Sequence, residues 1–312
     1  MFGFHSRKPL LGLDISDSGI KLAAVSGPGA NADVLFTGTS ELPAGTLNET
    51  FSVPSLADPG ALTGAIREVL SRPGVPRTRR IGLSLPDALF RVQGFEFDSL
   101  PQGAADRERL IRWRFERSSA FDVADTVLRY QVVQRRGNGA MLLASIAKRQ
   151  TIKQYEDIVL DLGLDPWMIG PASFHTMNLY APAAAAQEAG FAVVLVRAAS
   201  FVTMVVDRGI PRFYRFKEIK AGSAGEARDR LVREIDDSLH FYMHMDRVQQ
   251  AEIGRIGLTG DVPDLDALAP LLRECTNLSV DTLSPSVVLA HHDGGTLPPA
   301  LSAALGAGRM AA

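Results

Sequence analysis

The chain of 312 residues contains a single cysteine, Cys275, so no disulfide can form within it, and that usage fits a reducing compartment. Cys275 follows LAPLLRE on a helical pattern, which predicts a buried, unreactive thiol. Excess charge is missing as well. Thirty-three basic residues against 35 acidic ones leave a formal net charge of −2, which excludes a global field that would gather nucleic acid or anionic lipid. Long apolar runs are absent: FAVVLV is strand-sized, far short of the ~20 residues that cross a bilayer. The amino-terminal MFGFHSRKP has no extended apolar core and reads as a frayed terminus rather than a signal peptide or membrane foot. No Gly-x-Ser-x-Gly, Cys-x-x-Cys or Walker loop occurs. His240 and His244 lie one helical turn apart in HFYMHMD near Asp246, but the Glu of a zinc H-E-x-x-H is lacking, so a helix face is expected there and no metal site. His291-His292-Asp293 reads as loop.

With 46% hydrophobic and 22% charged residues, the composition is that of a globular protein long enough for two domains. The segment Leu10–Val25, LLGLDISDSGIKLAAV, reads as strand, Asp/Ser/Gly turn and strand. It returns in altered form at Ala192–Asp207, AVVLVRAASFVTMVVD, followed by an Arg208-Gly209 turn. One such hairpin opens each half, which divides the chain at 1–188 and 189–312. Val34–Gly38 supplies a third antiparallel strand, and Asp58 caps a helix with Leu62, Ile66, Val69 and Leu70 on one face. Residues 87–150 change texture. The strand FRVQGFEF, a charged helix at Asp106–Arg117 and the strands DTVLRYQVV and AMLLASIAK around the turn RRGNG form a small inserted α+β subdomain. RQTIKQYEDIVLDLGLDPWMIG predicts a long helix stopped by Gly163 and Pro166, and PASFHTMNLYAPAAAA a second one. The second half reads strand, long helix, strand, helix, strand and a final small-residue helix, LPPALSAALGAGRM, that returns to the first lobe. The order is that of an α/β protein of two lobes.

Paired hairpins can hold phosphates between two lobes, because consecutive backbone N–H groups and hydroxyls in a turn point at an anion. In the first hairpin Asp14, Ser16, Asp17, Ser18, Gly19 and Lys21 supply small residues for close approach and one cation, although many surface hairpins share the pattern. In the second hairpin Arg197 stands where the first has Asp14, with Ser200 following. Arg197 either contacts a phosphate directly or pairs with a neighbouring acid in a closed cleft. LTGDVPDL places Thr259, Gly260 and Asp261 at a further turn, where Asp261 reads as a helix cap and as a poor nucleotide contact. On the charged helix Leu110, Ile111, Trp113 and Phe115 form two apolar flanks. These aromatics either fill the small subdomain or, with Trp113 or Phe121 turned outward, face a partner peptide. The strand around Leu142 and Leu143 would offer such a peptide an edge.

LLGLDISDSGIKLAAV, LPDALFRVQGFEF, DRERLIRWRFERSSAFDVADTVLRYQVV, MLLASIAKRQTIKQYEDIVLDLGLDPWMIGPASFHTMNLY and ALSAALGAGR occur in one order across nearly the whole chain. This series resembles the PilM family, cytoplasmic actin-like proteins of type IV pilus assembly related to the GspL and MshI scaffolds. The resemblance implies an actin-like, ribonuclease H-like fold with a cleft between lobes. It implies a location peripheral to the inner membrane and a bitopic, PilN-like partner whose cytoplasmic peptide docks on the first lobe. It also implies that Asp14 orients the waters of Mg²⁺ when ATP is bound. The family pattern at the second hairpin is Asp-x-Gly-x-x-x-Thr, and Arg197 replaces its acid. Ser16 replaces a usual glycine, and Asp261 stands among usual glycines. A carboxylate-to-Arg change moves local charge by two units, which a Mg²⁺ site tolerates badly. The expectation is therefore a binding scaffold with weak or absent Mg²⁺–ATP binding and no catalysis. An ATP-driven switch closing over Asp14, Lys21 and Gly260 is the rival, and self-assembly into a homo-oligomer a third reading.

Overall fold

The computed structural model describes residues 9–26, 32–51, 55–118, 122–187, 189–219, 224–245, 252–291 and 295–310. Phe121, Asp246, His292, Asp293 and the amino-terminal MFGFHSRK lie outside those residues. Strands β1 (Leu10–Ser16) and β2 (Gly19–Val25) form the opening hairpin, and β3 (Asp33–Ser40) continues it antiparallel. Helix α1 (Pro59–Leu70) leads to β4 (Arg80–Leu85), which lies parallel to β1. The Asp58 carboxylate caps α1 by accepting from the Ala61 amide at 2.9 Å. β5 (Phe90–Phe97), helix α2 (Ala104–Ser118), β6 (Thr126–Arg136) and β7 (Gly139–Lys148) follow as a separate unit, with sheet order β5-β7-β6. Helix α3 (Arg149–Asp161) then returns the chain to β8 (Asp165–Pro171), parallel to β4.

The helix stops ahead of Gly163, as the sequence predicts, but the residues after it form β8, a strand the sequence reading did not include. Gly163, at φ +76°, turns the chain out of the helix, and it re-enters the sheet as an edge strand. An edge is where Pro166 and Pro171 are tolerated, because neither has an N–H to leave unpaired. Helix α4 (Ala172–Ala185) crosses to the second sheet, made of β9 (Gly190–Val196), β10 (Ser200–Asp207), β11 (Ile210–Glu218), β12 (Ile253–Gly260) and β13 (Ser279–Thr282) in the order β11-β10-β9-β12-β13. Helices α5 (Ala224–Met243) and α6 (Leu265–Thr276) cover one face of it. The short β14 (Ala290–His291) joins the first sheet beside β3 where the sequence read as loop, and α7 (Ser302–Met310) closes the fold.

Every residue of β1, β2 and β9 is buried, which explains why these segments read as continuous apolar runs rather than alternating ones. Leu11, Leu13 and Ile15 face α1 and α3, through Leu62, Ile66, Val69, Tyr155 and Val159. Leu10, Ala23 and Val25 face α4 and α7, through Leu179, Tyr180, Ala304 and Leu305. On its other side α4 meets Phe191, Val193 and Val202 of the second sheet, so a single helix is packed between the two lobes. Cys275 is exposed on the last turn of α6, contrary to expectation. The buried face of that helix is Leu265, Leu268, Ala269 and Leu272, and Cys275 falls outside it.

Candidate functional site

The strands β1 and β4 of one sheet and β9 and β12 of the other end toward a common crevice, the usual location of ligand sites in open α/β sheets. The register brings the charged residues there. Asp14 lies directly opposite Lys21 across the β1–β2 hairpin and beside Ser84 on β4. Gly260 is paired with Val196, so Arg197 and Asp261, each one residue past its strand, emerge side by side. Gly260 has φ +147°, and a Cβ there would stand 2.0 Å from the Val196 carbonyl oxygen, so glycine is required for this close pairing.

Arg197 reaches across the crevice and grips Asp14. Its Nη1 donates to Asp14 Oδ2 at 3.0 Å and its Nη2 to Asp14 Oδ1 at 2.9 Å, a two-pronged arrangement between buried groups. The Ser84 hydroxyl donates to Asp14 Oδ1 at 2.7 Å. From the second sheet Asp261 reaches in the opposite direction. Its Oδ2 accepts from Ser18 Oγ at 2.6 Å, Arg197 Nη1 at 2.8 Å, Lys21 Nζ at 2.9 Å and Ser16 Oγ at 3.4 Å. Burial works against the charge on Asp261, but Arg197 and Lys21, with bonds from Ser18 and Lys21, outweigh it and hold the carboxyl well below the usual carboxylate range. Burial likewise opposes the Arg197 cation, and Asp14 and Asp261 more than restore it. Two acids and two bases balance in charge, and each sheet supplies one of each.

The other expected residues divide. Asp17 is exposed at the tip of the hairpin, where its amide donates to Glu49 Oε1 at 2.9 Å. Burial, then the Asp17 charge, pushes the Glu49 carboxyl up to about 7. Gly19, at φ +119°, makes the turn. Ser200 is buried at the start of β10, its carbonyl accepting from the Arg197 amide at 2.8 Å. Thr259 does not face the crevice: its hydroxyl is within 2.8 Å of Ser302 Oγ and 3.2 Å of the Pro299 carbonyl oxygen, on the side of α7. Asp261 is not a helix cap either, because α6 begins only at Leu265, after Asp264, and the Asp261 carboxylate is engaged by Ser18, Lys21 and Arg197.

Ser84, Glu49 and Asp87 are the site residues that sequence reasoning missed. Ser84 is a small polar residue inside an apolar strand, which is a usable signal. Nothing around Glu49 or Asp87 in sequence marks them. Buried Asp87 accepts from the Ser173 amide at 3.1 Å, from the Ser173 hydroxyl, and from the Tyr214 hydroxyl at 3.0 Å, tying the insert junction, α4 and β11 together.

The expected peptide-binding residues also divide. Phe115 and Leu142 are core residues, 1% and 0% exposed, and Phe115 meets Phe95 edge-on with centroids 5.0 Å apart. β7 is the central strand of its sheet, hydrogen-bonded on both sides, so half-buried Leu143 offers no free edge. The expectation of an edge there fails because β5 and β6 flank it. Trp113 is 44% exposed, with Arg117 stacked 4.9 Å from its ring centre. Beside it a groove of about 480 Å³ runs along Gln93–Glu96 of β5, bounded by Arg114, Arg117 and Ser118 of α2. His240 and His244 stack on the exposed face of α5, and no cluster able to hold a metal ion occurs among the described residues.

No protein-family model and no curated protein matches the chain. Among solved structures, a chain of the PilM–PilN type IV pilus biogenesis complex superposes with a TM-score of 0.81 at 20% identity, covering 98% of this chain and 99% of that one. A Bacteroides thetaiotaomicron VPI-5482 protein of unknown function with an actin-like ATPase fold superposes at 0.53, with 12% identity over 93% of this chain and 95% of that one. The fold is actin-like. A third structure, the cytoplasmic domain of EpsL, an inner-membrane component of the Vibrio cholerae type II secretion system, gives 0.47 at 12% identity over 82% and 84% of the two chains. The crevice is the cleft of this actin-like fold, and no helix among the described residues is long and apolar enough to cross a membrane.

Proposed function

We propose that the chain is an actin-like adaptor of a type IV pilus or type II-like secretion platform. It lies on the cytoplasmic side, peripheral to the inner membrane. It binds the cytoplasmic amino-terminal peptide of a bitopic, PilN-like membrane protein. The observation that carries this reading is the superposition, over 98% of the chain, on a chain of a complex that assembles PilM with PilN. The nucleotide cleft is degenerate. Arg197 fills the place between Asp14 and Asp261 with its own guanidinium, and neither acid is left facing open space for a Mg²⁺ ion and its waters.

The peptide docks along β5 in the groove beside α2. β5 is an edge strand of the sheet β5-β7-β6, so its outer backbone groups are suited to adding an extended chain. Trp113, with Arg114 and Arg117, supplies the aromatic and cationic rim that anchors interfaces. Fluorescence anisotropy with the labelled cytoplasmic amino-terminal peptide of a bitopic, PilN-like protein is expected to show saturable binding. Trp113→Ala is expected to weaken it about tenfold, in keeping with the 1–2 kcal/mol of an interface anchor. Trp113 lies on the surface, so its truncation leaves the core of the insert in place, and a far-UV spectrum checks folding. No binding to the unaltered chain would overturn the adaptor reading.

A further inference from the structure

Donors converge on one oxygen of Asp261. Ser18 Oγ, Arg197 Nη1, Lys21 Nζ and Ser16 Oγ all lie within 3.4 Å of Oδ2. The other oxygen, Oδ1, is buried and has no hydrogen-bond partner. The Asp261 side chain is only 4% exposed, and those of Lys21 and Arg197 are 8% and 10% exposed. A helix cap or a structural ion pair needs one or two donors, whereas two cations and two hydroxyls around a single oxygen make the environment of an oxyanion. Three of these donors belong to the first lobe and the carboxylate to the second.

We propose that this cluster is an oxyanion site of the phosphate class occupied from within by the Asp261 carboxylate, which thereby latches the two lobes closed without any ligand. The inference rests on the closed-cleft reading above and extends it to what the cleft would otherwise bind. Charge supports it: with Asp261 removed, Asp14 is the one carboxylate left in direct contact with Lys21 and Arg197, and these three side chains carry one excess positive charge. The size of the occupant is also constrained. Asp17 and Glu49 stand at the hairpin tip beside the cluster, so the vacated site suits a small anion with one or two charges rather than a nucleoside triphosphate. In the intact protein the tethered carboxylate wins over a free anion because it is already in place and no association entropy is lost.

The test uses the full chain, inorganic phosphate as the probe, and no Mg²⁺. The unaltered protein is expected to show no change in melting temperature with millimolar phosphate. Asp261→Ala is expected to melt lower, to have a larger radius of gyration in solution scattering, and to regain both properties with phosphate, binding it at least tenfold more tightly than the unaltered chain. Adding Lys21→Met to Asp261→Ala is expected to abolish that gain. If Asp261→Ala does not fold alone, phosphate is expected to rescue its refolding. The proposal is overturned if folded Asp261→Ala gains no phosphate affinity, if the gain survives Lys21→Met, if phosphate fails to rescue an unfolded variant, or if the unaltered chain binds phosphate equally well. None of these outcomes depends on the peptide, so failure here leaves the adaptor reading standing, and loss of peptide binding leaves the latch standing.

Discussion

At the scale of single residues, the buried titratable groups set the response to pH. Burial pushes the Asp87 carboxyl up to about 6, against the opposing influence of Ser173, Arg197 and Tyr214. A carboxyl raised on folding binds its proton more tightly in the native state. Its contribution to stability is therefore complete below the unfolded value, near 4, and is lost as the pH rises through about 6. His175 acts in the opposite sense: burial lowers it to about 4, so its contribution is lost as the pH falls through that value. The two slopes oppose each other in overlapping windows, and Glu49, raised to about 7, adds to the Asp87 sense. Asp87→Asn removes one of them. In denaturant unfolding, the stability of the unaltered protein minus that of Asp87→Asn is expected to fall by about 2–3 kcal/mol between pH 4 and pH 7. A flat difference would show that Asp87 titrates normally. The site residues legible in sequence were those on the two hairpins and at the turn after β12, because small and charged residues between apolar runs announce a turn. Arg197 was legible as an anomaly, a cation ending a buried strand. Asp87 and Glu49 were not, since their meaning comes from partners such as Tyr214 and Asp17 that only the folded chain supplies.

At the scale of elements, the terminal helix shows why small residues cluster where they do. A Cβ on Gly12 of β1 would stand 1.9 Å from the Ala304 carbonyl oxygen, and one on Gly82 of β4 would stand 2.3 Å from that of Ala307. α7 therefore lies directly on the sheet backbone, and Gly12→Ala must push the helix away. Overpacking against backbone costs about 2–3 kcal/mol, which chemical denaturation is expected to register, whereas the open-space position Gly64→Ala is expected to be neutral or slightly stabilising. Equal effects at the two glycines would contradict this packing. Most helices and strands were legible because burial on one or both faces leaves period or run. β8 was not, since its two prolines and Gly170 erase the strand signature, and its place at the sheet edge makes the prolines acceptable. α2 shows a further limit. Its sequence announced aromatics but not their direction, and the fold turned Phe115 inward and left Trp113 outside.

At the scale of the whole molecule, closure between the lobes is built from the chain itself. α4 packs on both sheets, Tyr214 of the second sheet donates to Asp87 at the insert junction, and Arg197 and Asp261 bind Asp14, Lys21 and the hairpin serines. These contacts join the two halves through the chain's own side chains, which fits the adaptor proposed above. A bound ligand in hundredfold excess over its Kd would add about 2.7 kcal/mol to stability, a shift readily seen on melting. The most direct measurement is the melting temperature of the full, unaltered chain across a Mg²⁺–ATP titration into the millimolar range. A cleft filled by its own charges gives an unchanged melting temperature throughout, and a saturable rise would contradict it.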